Sequence, residues 1–328
     1  MTATAQKKTR ILDGGMSREL VRLGAELKQP EWSALALMNA PDIVRKVHEE
    51  FIEAGAEVIT TNSYALVPFH IGEEKFRSDG AALTALAGRL AREAADGVGQ
   101  GRTLVAGSLP PIFGSYEPQL FDASRVQDYL HVLVTYLAPY VDLWLGETLS
   151  LIAEGEAVRE AIKDTGKPFW ISFTLDDADL AMSQGAARLR SGESVTAAAE
   201  WAVSSGAAAL LFNCAKPEVM GRAVEAAKTV FDAHGADIEI GVYANAFENL
   251  NDGEAANEGL HGTREDLNSD KYSAFAAEWV EKGASLVGAA AASAPSISAG
   301  WPIGSRRDGR RRRSGRAQAL LAPPPNRT

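Results

Sequence analysis

Asp13, Glu147 and Cys214 are the residues of this 328-residue chain whose types and settings most invite chemistry. Asp13 precedes Gly14-Gly15, and paired glycines let the backbone approach a ligand or turn tightly. Glu147 closes the run Asp142-Leu143-Trp144-Leu145-Gly146, where a carboxylate is destabilising unless it meets a cation. Two such carboxylates suit either the ammonium of a zwitterionic amino acid or general acid–base work, and the residues alone leave both open. Asp13 by itself also suits a turn or a helix cap. Cys214, in Leu211-Phe212-Asn213-Cys214-Ala215-Lys216-Pro217, is the sole thiol. It reads as a core residue, a metal ligand or a nucleophile. One cysteine excludes an internal disulfide and any all-cysteine metal site. The histidines are His48, His70, His131, His234 and His261, and none directly follows an apolar run, so no Cys–His pair stands out. His70 and His261 fall in loop-like stretches, while His48 and His234 fall in helical ones and suit surface roles.

The elements that must position these residues are legible as short apolar runs. They are Arg10–Asp13, Glu57–Thr61, Leu104–Gly107, Val141–Gly146, Phe169–Phe173, Ala207–Phe212, Ile238–Tyr243 and Ser285–Gly288. Continuous apolar runs predict strands of a parallel sheet buried on both faces. Helical patterns separate them, at Pro41–Ala54, Asp79–Asp96, Val126–Ala138, Leu151–Thr165, Ser194–Ser204, Pro217–His234 and Lys271–Lys282. Several end in Gly before the next strand, as at Gly206 and Gly235, where glycine caps a helix cheaply. Eight strand–helix repeats predict a (β/α)8 barrel within residues 1–300. A doubly wound dinucleotide fold is the competitor, but no G-x-G-x-x-G follows any strand. Polar residues sit at the strand ends: Asp13, Thr61-Asn62-Ser63-Tyr64, Ser108, Glu147-Thr148, Ser172, Asn213-Cys214 and Asn245. Barrel active sites are built along this edge.

Composition narrows the function classes. The chain is 46% hydrophobic and 23% charged, with net charge -10, which fits a globular protein and argues against nucleic-acid binding. No stretch is long and apolar enough for a membrane span, and the start, MTATAQKKTRILDGG, lacks a secretory signal. A cytoplasmic location is expected. The tail 301–328 reverses the charge, with eight Arg, one Asp and Pro323-Pro324-Pro325. Its composition predicts poor packing against the barrel.

Several segments carry a resemblance: Ile11-Leu12-Asp13-Gly14-Gly15-Met16-Ser17-Arg18-Glu19-Leu20, Ala54 to Tyr64, Gly107-Ser108-Leu109-Pro110-Pro111, Glu147-Thr148-Leu149, Leu211-Phe212-Asn213-Cys214 and Gly283 to Gly288. In order and spacing they resemble the homocysteine S-methyltransferase family, from Ile11 to about Gly288. The resemblance implies a barrel that moves a methyl group from a sulfonium or ammonium donor to homocysteine, giving methionine. S-methylmethionine, S-adenosylmethionine and betaine are the donors it suggests. It implies a zinc ion held by three cysteine thiolates, one matched by Cys214. It further implies that Asp13 and Glu147 hold the substrate amino group and that Tyr64 stands near the metal. Cys214 and Tyr64 are then the catalytic candidates, and Thr61 and Asn213 join Asp13 and Glu147 in substrate binding. The partners expected are small molecules.

The chain departs from the family at its last motif. Where relatives carry Gly-Gly-Cys-Cys, this sequence reads Gly288-Ala289-Ala290-Ala291-Ala292, so Ala290 and Ala291 occupy the other two ligand positions. Alanine ligates nothing, and one thiolate falls short of the three protein ligands such a site needs. Zinc is therefore expected to be weak or absent. A G+C-rich coding of Val-Gly-Gly-Cys-Cys-Gly-Ile-Gly-Pro-Glu-His-Leu, with one G deleted after its second codon, translates as Val-Gly-Ala-Ala-Ala-Ala-Ser-Ala-Pro-Ser-Ile-Ser. That is Val287–Ser298 at every position. A frame shift accounts for the lost cysteines, for the Arg- and Pro-rich tail, and for an absent or aberrant eighth helix. The alternatives are a zinc-independent barrel enzyme and a non-catalytic small-molecule binder.

Overall fold

The computed structural model describes residues 8–178, 185–245, 264 and 266–288. Eight strands form one parallel sheet: β1 (Arg10–Ile11), β2 (Val58–Thr60), β3 (Leu104–Leu109), β4 (Leu143–Leu149), β5 (Phe169–Phe173), β6 (Ala209–Asn213), β7 (Glu239–Tyr243) and β8 (Leu286–Val287). Neighbours pair in sequence from β2 to β8, and β8 pairs with β1. The Leu12–Val58 bridge and the Asp13 N–H to Val58 carbonyl bond of 3.0 Å join β1 back to β2. The sheet thereby closes into the expected (β/α)8 barrel.

Parallel pairing requires a crossover after each strand. Helices α1 (Met16–Arg22), α2 (Ser33–Asn39) and α3 (Pro41–Glu53) follow β1, and α4 (Pro68–Ile71) and α5 (Glu73–Gly97) follow β2. The remaining crossovers use α6 (Val126–Leu137), α7 (Ile152–Ile162), α8 (Val195–Ser205), α9 (Pro217–His234) and α10 (Ser269–Lys282). Helices α8 and α9 stop at Gly206 and Gly235, which take φ of 78° and 61°, the left-handed region where a side chain is strained. The helical pattern at Asp79–Asp96 is the body of α5, whose first residues, 73–78, and the short α1, α2 and α4 are not evident from apolar periodicity, because charge and brevity blur it.

Strand alternation sets the interior. Leu143, Leu145 and Glu147 share one face of β4, Trp170 and Ser172 one face of β5, and Ala209, Leu211 and Asn213 one face of β6. The lower members of these rows pack together inside the barrel with Leu12, Val58, Ala106 and Leu286. The floor is closed by Arg10, which pairs with Glu239 and lies 5.2 Å over the Trp170 ring. The outward residues, such as Trp144, Ile171 and Leu210, pack under the helices in a separate layer.

Three expectations need correction. Strands β3 and β4 run on to Leu109 and Leu149 rather than ending at Gly107 and Gly146. Ser108 and Glu147 are therefore strand residues, and a hydrogen bond between their side chains ties the two strands together. His48 is not a surface residue: it is wholly buried on α3, with neither ring nitrogen hydrogen-bonded among the described residues. His70 lies in α4 rather than a loop, buried, with Nδ1 2.9 Å from the Pro30 carbonyl. His261, Ala290, Ala291, the eighth helix and the tail 301–328 lie outside the described residues. Among the described residues no helix is long and apolar enough to cross a membrane.

Candidate functional site

The top inward layer is polar where the layers below it are apolar. Period-two alternation places Thr60, Ser108, Glu147, Ser172 and Asn213 at the C-terminal mouth, each two residues above a core side chain, and Tyr243 two residues above Gly241. Asp13, just past β1, joins them. Its Oδ2 accepts the Thr60 N–H at 2.7 Å and its Oδ1 the Thr60 hydroxyl at 3.3 Å. Burial pushes the Asp13 carboxyl up to about 8; the Thr60 bond opposes that shift and the charge of Glu147 adds to it. Glu147 is also raised by burial, against the 2.6 Å hydrogen bond that Ser108 Oγ donates to it. Among the described residues no Lys, Arg or His forms an ion pair with either group. The arrangement is two carboxylates short of a positive charge.

Cys214 follows directly, the first residue past β6. Asn213 Nδ2 donates to its sulfur at 3.2 Å and Thr148 Oγ1 at 3.6 Å. The Tyr116 hydroxyl faces the same sulfur as a donor. Asn213 is itself fixed: its Nδ2 also donates to Thr148 Oγ1 at 2.7 Å, and its Oδ1 accepts from Ser172 Oγ at 2.6 Å. Burial pushes the thiol up to about 11 despite these donors, so it is protonated at neutral pH. Thr148, Tyr116 and Cys214 all hold left-handed backbone, at φ of 58°, 66° and 51°. Such conformations are unfavourable for non-glycine residues and cluster where a site over-determines them.

Tyr64 lies across the mouth, its hydroxyl 2.6 Å from Ser115 Oγ and its ring edge-on to Trp32 at 6.0 Å. Burial and the neighbouring Cys214 raise its phenol above the usual range. Asp13, Glu147, Tyr64, Asn213 and Cys214 thus come together. Thr61 is different: its hydroxyl is held 2.8 Å from Ser63 Oγ and accepts the Ser108 N–H at 3.0 Å, so it braces β2 against β3. Tyr116, Tyr243 and Arg190 were not evident from the sequence. Tyr243 could have been found by alternation along β7, whereas Tyr116 and Arg190 come from loops with no periodic signal.

A parallel (β/α)8 barrel with a polar, strained cluster at its C-terminal mouth defines the class as a barrel enzyme scaffold. The sequence pattern of "Homocysteine S-methyltransferase" matches residues 10–296, and the chain belongs to that family. It is 30% identical over 318 residues to Homocysteine S-methyltransferase 1 of Arabidopsis thaliana, covering 87% of this chain and 90% of that one. It is 26% identical to the Selenocysteine methyltransferase of Astragalus bisulcatus, over 87% and 89% of the two chains. The metallated form of the homocysteine methyltransferase MmuM from Escherichia coli superimposes with a TM-score of 0.69 at 25% identity, covering 90% of this chain and 95% of that one.

The zinc that this family implies does not fit the residues present. The chain has one cysteine. Among the described residues, no three His, Cys, Asp or Glu side chains gather closely enough to hold a metal ion. The groups around the Cys214 sulfur, Asn213, Thr148 and Tyr116, present hydrogen-bond donors to it rather than a ligand set.

Proposed function

We propose that this barrel binds homocysteine at its mouth together with a sulfonium or ammonium methyl donor, and that the sequence as it stands transfers the methyl group poorly. The nearness of Asp13 to Glu147, two inward carboxylates with no ion pair among the described residues, carries the reading. An α-ammonium between them supplies a positive charge and favours the ionised form of both carboxylates. The acceptor thiol then lies toward the polar cluster around Cys214. Transfer is a direct displacement: the acceptor sulfur–carbon bond forms as the donor's carbon–heteroatom bond breaks, leaving a neutral sulfide or amine. Alignment of the three atoms supplies much of the rate. The acceptor must first lose its proton, and a free thiol of pKa about 8.5 is mostly protonated at pH 7. With one cysteine and no fitting metal site among the described residues, that deprotonation is what this chain lacks.

The test is metal content and methionine formation, with S-methylmethionine, S-adenosylmethionine and betaine each offered as donor. Two proteins are compared: the chain as it stands, and one with the reading frame restored after codon 288. The first is expected to bind homocysteine but to hold little zinc and turn over weakly. The second is expected to regain the cysteine pair, about one zinc per chain and transferase activity. Stoichiometric zinc and turnover in the first protein overturn the reading. Zinc without homocysteine methylation in the second overturns the substrate.

A further inference from the structure

Arg190 brings a positive charge to the mouth that neither Asp13 nor Glu147 uses. Its backbone N–H donates to the Thr174 carbonyl at 3.0 Å, and Thr174 Oγ1 donates to the Cys214 carbonyl at 3.3 Å, which ties the Arg190 backbone to the chain at Cys214. The guanidinium carbon lies 5.1 Å from the centre of the Tyr116 ring, and the Tyr116 hydroxyl faces Cys214. One terminal nitrogen, Nη2, pairs with Asp177 Oδ1 at 3.1 Å. Asp177 is shared, because its Oδ2 accepts the Lys216 N–H at 2.9 Å. The Nε–H of Arg190 is buried and has no hydrogen-bond partner among the described residues. A buried, unpaired N–H on a charged group is unfavourable, so a site that keeps one is built to receive an acceptor from outside the chain. A guanidinium held over an aromatic ring, with one N–H left to donate, matches a carboxylate.

The carboxylate has two sources. The acceptor's lies on the same carbon as its ammonium, hence beside Asp13 and Glu147. The donor's lies several bonds beyond its reactive methyl, past the sulfur cluster, where Tyr116 and Arg190 stand. We propose that Arg190 is a specificity-determining residue that receives the carboxylate of the methyl donor, so that the site selects zwitterionic sulfonium or ammonium donors over those lacking an anionic group. This rests on the methyl-transfer reading above.

The test is calorimetric titration of the full chain with four probes: S-methylmethionine, its methyl ester, homocysteine and homocysteine methyl ester. Binding alone is read, so turnover is not required. In the unmodified protein, esterification of S-methylmethionine should weaken binding about 10- to 100-fold, the scale of one charge-assisted hydrogen bond. Arg190→Gln should bind acid and ester alike, and Arg190→Lys, which keeps charge without the fork, should retain a reduced preference. Equal binding of acid and ester by the unmodified protein overturns the proposal, whether or not a variant folds. So does an ester penalty that survives in Arg190→Gln, or an Arg190-dependent penalty on homocysteine ester, which assigns Arg190 to the acceptor. If homocysteine binds and S-methylmethionine does not, this proposal fails while the acceptor reading stands. If neither binds, both fail.

Discussion

The Thr60 N–H meets Asp13 Oδ2 at 2.7 Å and the Thr60 hydroxyl meets Oδ1 at 3.3 Å, so one carboxylate just past β1 is held at both oxygens by one residue of β2. The strand pair that closes the barrel is thus also the pair that aims Asp13 into the mouth. Orientation and closure are one arrangement here, which is why the carboxylate stays in place although burial raises its pKa to about 8.

That pKa makes amine binding pH-dependent. Below about 8 the free Asp13 is protonated, and an ammonium ligand must drive the proton off. Homocysteine affinity should rise from pH 6 to pH 8, with net proton release seen as a dependence of the calorimetric heat on buffer ionisation enthalpy. Asp13→Asn should weaken binding by about 1.5–3 kcal/mol and abolish the proton release. In the ligand-free protein the sign for folding is the reverse: the raised carboxyl is most compatible with folding below pH 3.8, and that contribution is lost as pH rises through 8.

His48 sets an acid limit. Burial lowers its pKa to about 4 from 6.5, so the unfolded chain takes up its proton first. The stability linked to neutral His48 is intact above pH 6.5 and is lost as pH falls through 4. His48→Leu should raise Tm more at pH 5 than at pH 7.5 in a thermal scan. An equal shift at both pH values would reject the linkage.

Asn213 holds the sulfur cluster together. Asn213→Ala removes its bonds to Ser172, Thr148 and Cys214 and leaves the wholly buried Ser172 hydroxyl without its acceptor. Urea denaturation should show a loss of about 1–3 kcal/mol, the scale of one unsatisfied buried group.

Gly241 is required by packing inside the barrel. A Cβ there would stand 2.6 Å from Leu211 Cγ and Cδ2 and 3.0 Å from Leu286 Cβ. Gly241→Ala should destabilise by about 1–3 kcal/mol. Combined with Leu211→Ala, which removes the clashing atoms, the total should be smaller than the sum of the single effects in the same denaturation assay.

The sequence by itself determined the barrel and much of its mouth. Apolar runs separated by helical stretches admit few closed parallel arrangements, and alternation along Leu143-Trp144-Leu145-Gly146-Glu147 aims Glu147 inward once the run is taken as a strand. It also determined the shortfall at the metal site, because one cysteine cannot supply three thiolates. Tertiary structure alone decided how those residues meet. Tyr116 reaches the sulfur from the loop after β3, and Arg190 reaches the Tyr116 ring from the loop after β5, where no period marks them. Thr61 looks like its polar neighbours in the chain but turns its hydroxyl to Ser63 and Ser108 instead of the mouth. His48 sits on a helix whose pattern tolerated a surface position, and packing of α3 buried it. In each case the deciding factor was which atoms of distant segments came within contact distance, and local sequence does not encode that.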